Sequence, residues 1–177
     1  DAWLSTSSPL GTDSVTLSPY LGFESLRPAL DAATANHRGT FVLALTSNPK
    51  GKSVQHVGKA EDTGAVAKQV IAAATVENTA QTWERMGSCG LVVGATVGEA
   101  LKELAIDLST FNGPILSPGY GAQGASAEEL YRIFAGVESQ VLVNSSRGVL
   151  SAGPQLADLA RAAQSARDDL VRARGAV

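Results

Sequence analysis

What most constrains this chain is an alternation. Five short apolar runs, each of strand length, are separated by stretches with helical periodicity. The runs lie at 15–18 (Val-Thr-Leu-Ser), 40–45 (Thr-Phe-Val-Leu-Ala-Leu), 90–95 (Gly-Leu-Val-Val-Gly-Ala), 114–117 (Pro-Ile-Leu-Ser) and 140–144 (Gln-Val-Leu-Val-Asn). A strand with one solvated face alternates apolar and polar residues. The run at 40–45 is continuous, the pattern of a parallel strand buried on both faces. Between the runs, residues 26–35 are rich in Ala and Leu. Residues 64–85 read as a long helix, with Val66, Val70, Ile71, Ala74 and Asn78 at i, i+3/i+4 spacing. A helix is expected over 97–104, and Ser126 with Glu129 forms a capping box for another that runs to Phe134. Residues 154–174 predict a terminal helix whose Arg161, Arg167, Asp168, Arg172 and Arg174 mark a solvated face.

Strand–helix units repeating every 25 to 50 residues or so imply an α/β protein with parallel strands. Two architectures satisfy that pattern. A doubly wound open sheet needs no further strands, but this chain has no G-x-G-x-x-G after its first strand and no acidic ribose partner. A (β/α)8 TIM barrel takes about 250 residues. The 177 residues here amount to strands 4–8 of such a barrel with their helices, strands 1–3 being absent. The expectation is one domain over residues 1–177, with the inner faces of the first and last strands lacking barrel neighbours.

Composition narrows the function classes. A chain that is 44% hydrophobic with mean hydropathy +0.05 can bury a core. Its net charge is −3 and its Lys and Arg are scattered, which argues against a nucleic-acid or anionic-membrane partner. No apolar run reaches the ~18 residues of a membrane span, and the first four residues do not resemble a signal peptide. The single Cys89 forms no intramolecular disulfide and fits a reducing cytoplasm. Its setting, Gly-Ser-Cys-Gly before a strand, suits a small packed residue better than a nucleophile.

Two glycine-rich segments carry the chemistry. Residues 116–124 (Leu-Ser-Pro-Gly-Tyr-Gly-Ala-Gln-Gly) and 143–148 (Val-Asn-Ser-Ser-Arg-Gly) each follow an apolar run and precede a helical stretch. Glycines let backbone N–H groups approach an anion, and a following helix adds a favourable dipole. Gln123 brings an amide, and Arg147 a guanidinium fork matched to phosphate oxygens. Either segment alone reads first as an ordinary Gly-rich turn; it is the pair that matches the phosphate-binding loops after strands 7 and 8 of a barrel.

Further motifs stand at other strand ends: Ser-Pro-Tyr-Leu-Gly at 18–22, Leu-Thr-Ser-Asn-Pro at 45–49 and Val-Gly-Ala-Thr at 93–96. With Pro-Gly-Tyr-Gly-Ala-Gln-Gly at 118–124 and Ser146-Arg147, this ordered series resembles successive strand ends of orotidine 5′-phosphate decarboxylase, most of all its actinobacterial form. The resemblance implies that Ser47, with Thr46 beside it, hydrogen-bonds the pyrimidine. It implies that Pro118 opens the phosphate-side loop, that Gln123 holds the phosphate and reaches toward the pyrimidine, and that Arg147 grips the phosphate. For 45–49 a turn or helix-cap role is the competing reading. The 18–22 segment is taken as structural, with Tyr20 packing and Gly22 turning the chain, and His37 and His56 are taken as surface residues.

The resemblance implies conversion of orotidine 5′-phosphate to uridine 5′-phosphate and carbon dioxide, with no metal or organic cofactor, by a cytoplasmic homodimer. A lysine would protonate C6 as the carboxylate leaves. The family's Asp-x-Lys-x-x-Asp stretch has no counterpart in these residues, so no catalytic residue is assigned here. The expectation is that a missing N-terminal segment supplies that array and that this chain alone does not turn over substrate. Two other readings share the motifs: another phosphate-binding barrel enzyme, such as a sugar-phosphate epimerase or synthase, and a noncatalytic nucleotide-binding half-barrel.

Overall fold

A computed structural model of the chain describes residues 2–58, 64–121 and 124–175. Five strands form one sheet: β1 Ser14–Leu17, β2 Gly39–Leu45, β3 Cys89–Val93, β4 Ile115–Pro118 and β5 Val141–Asn144. Their spatial order is β1-β2-β3-β4-β5, and every neighbouring pair is parallel. Order in space equal to order in sequence is the winding of a β/α barrel. A doubly wound sheet would reverse direction partway, so that rival is excluded. Among the described residues β1 and β5 each pair on one side only.

The helices are α1 Arg27–Ala35, α2 Lys52–Gln55, α3 Val66–Thr79, α4 Gly98–Glu103, α5 Ala127–Ile133, α6 Arg147–Leu150 and α7 Leu156–Arg174. The expected capping box is complete: Glu129 N–H donates to Ser126 Oγ (3.1 Å) and Ser126 N–H to Glu129 Oε2 (3.0 Å). The main core lies between sheet and helices. Val42, Ala44 and Leu45 of β2, Leu91 and Val93 of β3 and Ile115 of β4 meet Leu30, Val70, Ile71, Leu101 and Leu130 from the helices. A strand sends successive side chains to opposite faces. Leu43, Val92, Leu116 and Leu142, which are partners in register, therefore form an apolar row on the other face. Burial along the row falls from Val92 (5% exposed) to Leu142 (50% exposed) at the edge.

Two expectations need correction. The helix expected over 64–85 spans only Val66–Thr79. It stops because Asn78 turns away from solvent: its Nδ2 donates to Cys89 O (2.8 Å) and its Oδ1 accepts from Cys89 N–H (3.1 Å). The Asn78 carbonyl takes the Trp83 indole N–H (2.8 Å), which folds residues 80–88 back toward β3. Tyr20 does not pack either. It is 79% exposed and Leu21 is 83% exposed, while Gly22 does turn the chain at φ 93°. The one-turn helices α2 and α6 are additions that periodicity over so few residues does not reveal.

Candidate functional site

The C-terminal ends of β2 to β5 form a continuous row in which Ser47, Pro118 and Arg147 stand. Just beyond β2, Ser47 lies against β3's end, where a Cβ on Gly94 would sit 3.2 Å from Ser47 N and 3.6 Å from Ser47 Cβ. Gly94 N–H donates to Leu45 O (2.9 Å) and Ala95 N–H to Pro118 O (2.8 Å), tying β2 to β3 and β3 to β4 past the last strand residues. Gly119 follows at φ 122°, a conformation that favours glycine, with Ala95 Cβ only 3.3 Å from where its own Cβ would be. Pro118 is the register partner of Asn144, so the chains leaving β4 and β5 depart side by side, about 5 Å apart. Arg147 opens α6 three residues after β5 and is exposed. Among the described residues its guanidinium makes no ion pair. An exposed, uncommitted guanidinium is able to take a phosphate by two parallel N–H···O bonds.

Thr46 and Ser47 differ sharply. Thr46 is bound within its own loop: its N–H donates to Gln55 Oε1 (3.0 Å) and its Oγ1 accepts from Gln55 Nε2 (3.1 Å). Asn48 caps the following 3-10 turn by accepting from Lys50 N–H (3.0 Å). The cap reading thus holds for Asn48, and Ser47 between them is exposed. Gln55 is the residue that sequence reasoning missed. Its only signal is a nine-residue separation from Thr46, meaningless until α2 folds the loop back. His56, half-buried, ends α2, and exposed His37 holds a left-handed conformation (φ 53°) just past α1. Gln123 lies outside the described residues.

The loop after β4 closes on itself through Gly121 N–H to Ala125 O (2.9 Å) and Gly124 N–H to Gly121 O (2.8 Å). Tyr120 reaches out of it and donates from Oη to Asp169 Oδ2 on α7 (2.8 Å). Burial first, then Asp169, pushes the Tyr120 hydroxyl up to about 12, so it remains a donor at neutral pH. Cys89 is buried at the start of β3, and that burial pushes its thiol up to about 11. Both features make it the packed residue expected rather than a nucleophile. A groove of about 570 Å³ runs between α4 and α5, lined by Thr96, Lys102, Asp107 and Arg132 among others. It lies beside the row of strand ends and includes none of Thr46, Ser47, Pro118 or Arg147. Among the described residues no cluster of three or more His, Cys, Asp or Glu is placed to hold a metal ion. No described helix is long and apolar enough to cross a membrane.

Known proteins resemble this chain in sequence and fold. The family model described as the orotidine 5′-phosphate decarboxylase / HUMPS family matches residues 4–162. The chain is similar to orotidine 5′-phosphate decarboxylase of Salinispora arenicola, 48% identical over 162 residues that make up 92% of this chain and 56% of that protein. It is similar to the Streptomyces coelicolor protein of the same name, 44% identical over 167 residues with the same two shares. A crystal structure titled as that decarboxylase, from Streptomyces avermitilis, superposes with a TM-score of 0.83 at 43% identity, covering 97% of this chain and 58% of that one. One from Toxoplasma gondii gives 0.71 at 28% identity, covering 95% and 60%. The chain spans a little over half the length of the curated relatives it matches. With five parallel β/α units in sequential order, those strand-end motifs and a family match across most of its length, the chain belongs to the orotidine 5′-phosphate decarboxylase / HUMPS family.

Proposed function

We propose that the chain is the C-terminal part of an orotidine 5′-phosphate decarboxylase, which converts orotidine 5′-phosphate to uridine 5′-phosphate and carbon dioxide in de novo pyrimidine biosynthesis. The observation that carries this reading is the row of strand ends, which has an exposed hydroxyl at Ser47 and an uncommitted guanidinium at Arg147 with the Gly119–Gly121 backbone between them. A hydroxyl both donates and accepts, as reading an imide edge requires, and a fork of N–H donors suits a phosphate dianion. In this reading Ser47 hydrogen-bonds the pyrimidine. Thr46, held by Gln55, fixes the loop from which Ser47 projects. Pro118 starts the phosphate-side loop, Gln123 bridges phosphate and base, and Arg147 grips the phosphate.

The bond that breaks joins the carboxylate carbon to C6; its electron pair stays at C6 and takes a proton from a lysine. These residues contain no Asp-x-Lys-x-x-Asp stretch, so the proton donor and its carboxylate neighbours come from polypeptide outside the 177 residues. The same reading makes the complete enzyme a cytoplasmic homodimer that needs no metal or organic cofactor. Phosphate contacts remote from C6 supply binding energy that organises the reacting end. The test is product analysis. The complete enzyme should consume orotidine 5′-phosphate and release one uridine 5′-phosphate and one carbon dioxide per turnover, and the 177-residue chain alone should release none. Turnover of a sugar phosphate instead, or no turnover by the complete enzyme, would overturn the proposal.

A further inference from the structure

We propose that Tyr120 and Asp169 form a latch between the loop after β4 and the terminal helix α7, and that this latch sets the loop backbone in its phosphate-binding position. The inference rests on the reading of that loop as the phosphate side of the site. Among the described residues between the loop's root and the buried Ala125, the hydrogen bond to the rest of the molecule is that of Tyr120 Oη. A Cβ added at Gly121 (φ 68°) or at Gly124 (φ 100°) would meet nothing within 4 Å, so both backbones stand in open space. At its root the loop is fixed by Ala95 N–H to Pro118 O and by the close approach of Gly119 to Ala95. Beyond the root, the bonds between Gly119, Gly121, Gly124 and Ala125 are internal to the loop and do not position it against the rest of the molecule.

The Tyr120 hydroxyl supplies that external fix. Its bond to Asp169 spans 49 residues, and its ring is half-buried against the core. Asp169 lies on the inward stripe of α7 that packs against α5, with its side chain 39% exposed and Arg172 Nη1 3.7 Å away. A phenol donating to a carboxylate is a charge-assisted bond, stronger than a neutral one and directional. The hydroxyl keeps its proton well above neutral pH, so it is available as the donor across the physiological range. Tyr120 and Asp169 are thus positioning residues. They touch no reacting atom, but they raise the fraction of molecules whose loop is ready for phosphate, and apparent affinity scales with that fraction.

The experiment compares orotidine 5′-phosphate with orotidine, which lacks the phosphate, in the complete enzyme carrying Tyr120→Phe, Asp169→Ala, both together, or Arg147→Ala. Tyr120→Phe keeps the ring and removes only the donor. The ratio of kcat/KM on the phosphorylated to that on the unphosphorylated substrate should fall about three- to tenfold, mostly through KM, the scale of one hydrogen bond. Asp169→Ala should produce the same fall, the double variant no more than either, and Asp169→Asn, which keeps an acceptor, should recover part of it. A merely structural role would lower both substrates together and leave the ratio where it was. If Arg147→Ala shifts the ratio and Tyr120→Phe leaves it within twofold of the unaltered enzyme, the latch is wrong and the phosphate reading stands. If Arg147→Ala also leaves the ratio unmoved, the phosphate reading fails and the latch with it.

Discussion

Asn78 shows how much one side chain decides. It is 1% exposed, and its amide satisfies both the N–H and the carbonyl of Cys89 while Gly87 and Gly113 pass so close that a Cβ at either would collide with it. Asn78→Ala would leave two buried backbone groups without partners, and the expected loss is about 2–4 kcal/mol by urea unfolding. Asn78→Asp keeps the acceptor, but places a carboxylate against the Cys89 carbonyl and should cost a similar amount. Unfolding midpoints for either variant equal to the parent's would contradict this. The neighbouring thiol gives a pH prediction of definite sign. Burial raises Cys89 from its ordinary 9.0 to about 11, so the folded chain keeps a proton that the unfolded chain releases. Its contribution is present in full below pH 9 and is lost as pH rises toward 11. Cys89→Ala should therefore lose less stability than the parent between pH 8 and 10, and parallel curves would refute the buried-thiol assignment.

Elements were legible to the degree that their signals were local. The run at 40–45 became β2, and the Ser126–Glu129 pair became a closed capping box, because a strand run and a cap are each written within a few residues. Ser126→Ala should destabilise by about 1 kcal/mol, with Ser126→Asp recovering most of it. A melting temperature unchanged in Ser126→Ala would mean that α5 is held by packing alone. What stayed illegible depended on distant partners. Helical periodicity continued past Thr79, but the helix ended where Asn78 found β3 and Trp83 found the Asn78 carbonyl. Tyr20, an aromatic in a Pro-Tyr-Leu-Gly segment, looked like a packing residue, yet the described residues provide nothing to cover it. Along the row of strand ends, the placement of Arg147 and Pro118 was visible, since each stands beside a glycine after an apolar run. Gln55 was not, since its clamp on Thr46 exists only once α2 brings the two together.

At the scale of the molecule, sequential parallel order brings the ends of β2, β3, β4 and β5 into one row. Each strand end is fastened to the next, Leu45 to Gly94, Ala95 to Pro118 and Pro118 beside Asn144, so residues a hundred positions apart share one rim. That order followed from counting strand–helix units and finding no dinucleotide fingerprint. Which side chains along the rim are free and which are committed did not follow, because it depends on partners such as Gln55 and Asp169 that lie on other elements. The central claim is that this rim holds a nucleotide phosphate through Arg147. Steady-state kinetics of Arg147→Ala in the complete enzyme test it most directly. A charge-assisted bond to phosphate is worth about 1.5–3 kcal/mol, so kcat/KM for orotidine 5′-phosphate should fall by about one to two decades, with KM raised and kcat lowered. A value within twofold of the unaltered enzyme would contradict the account.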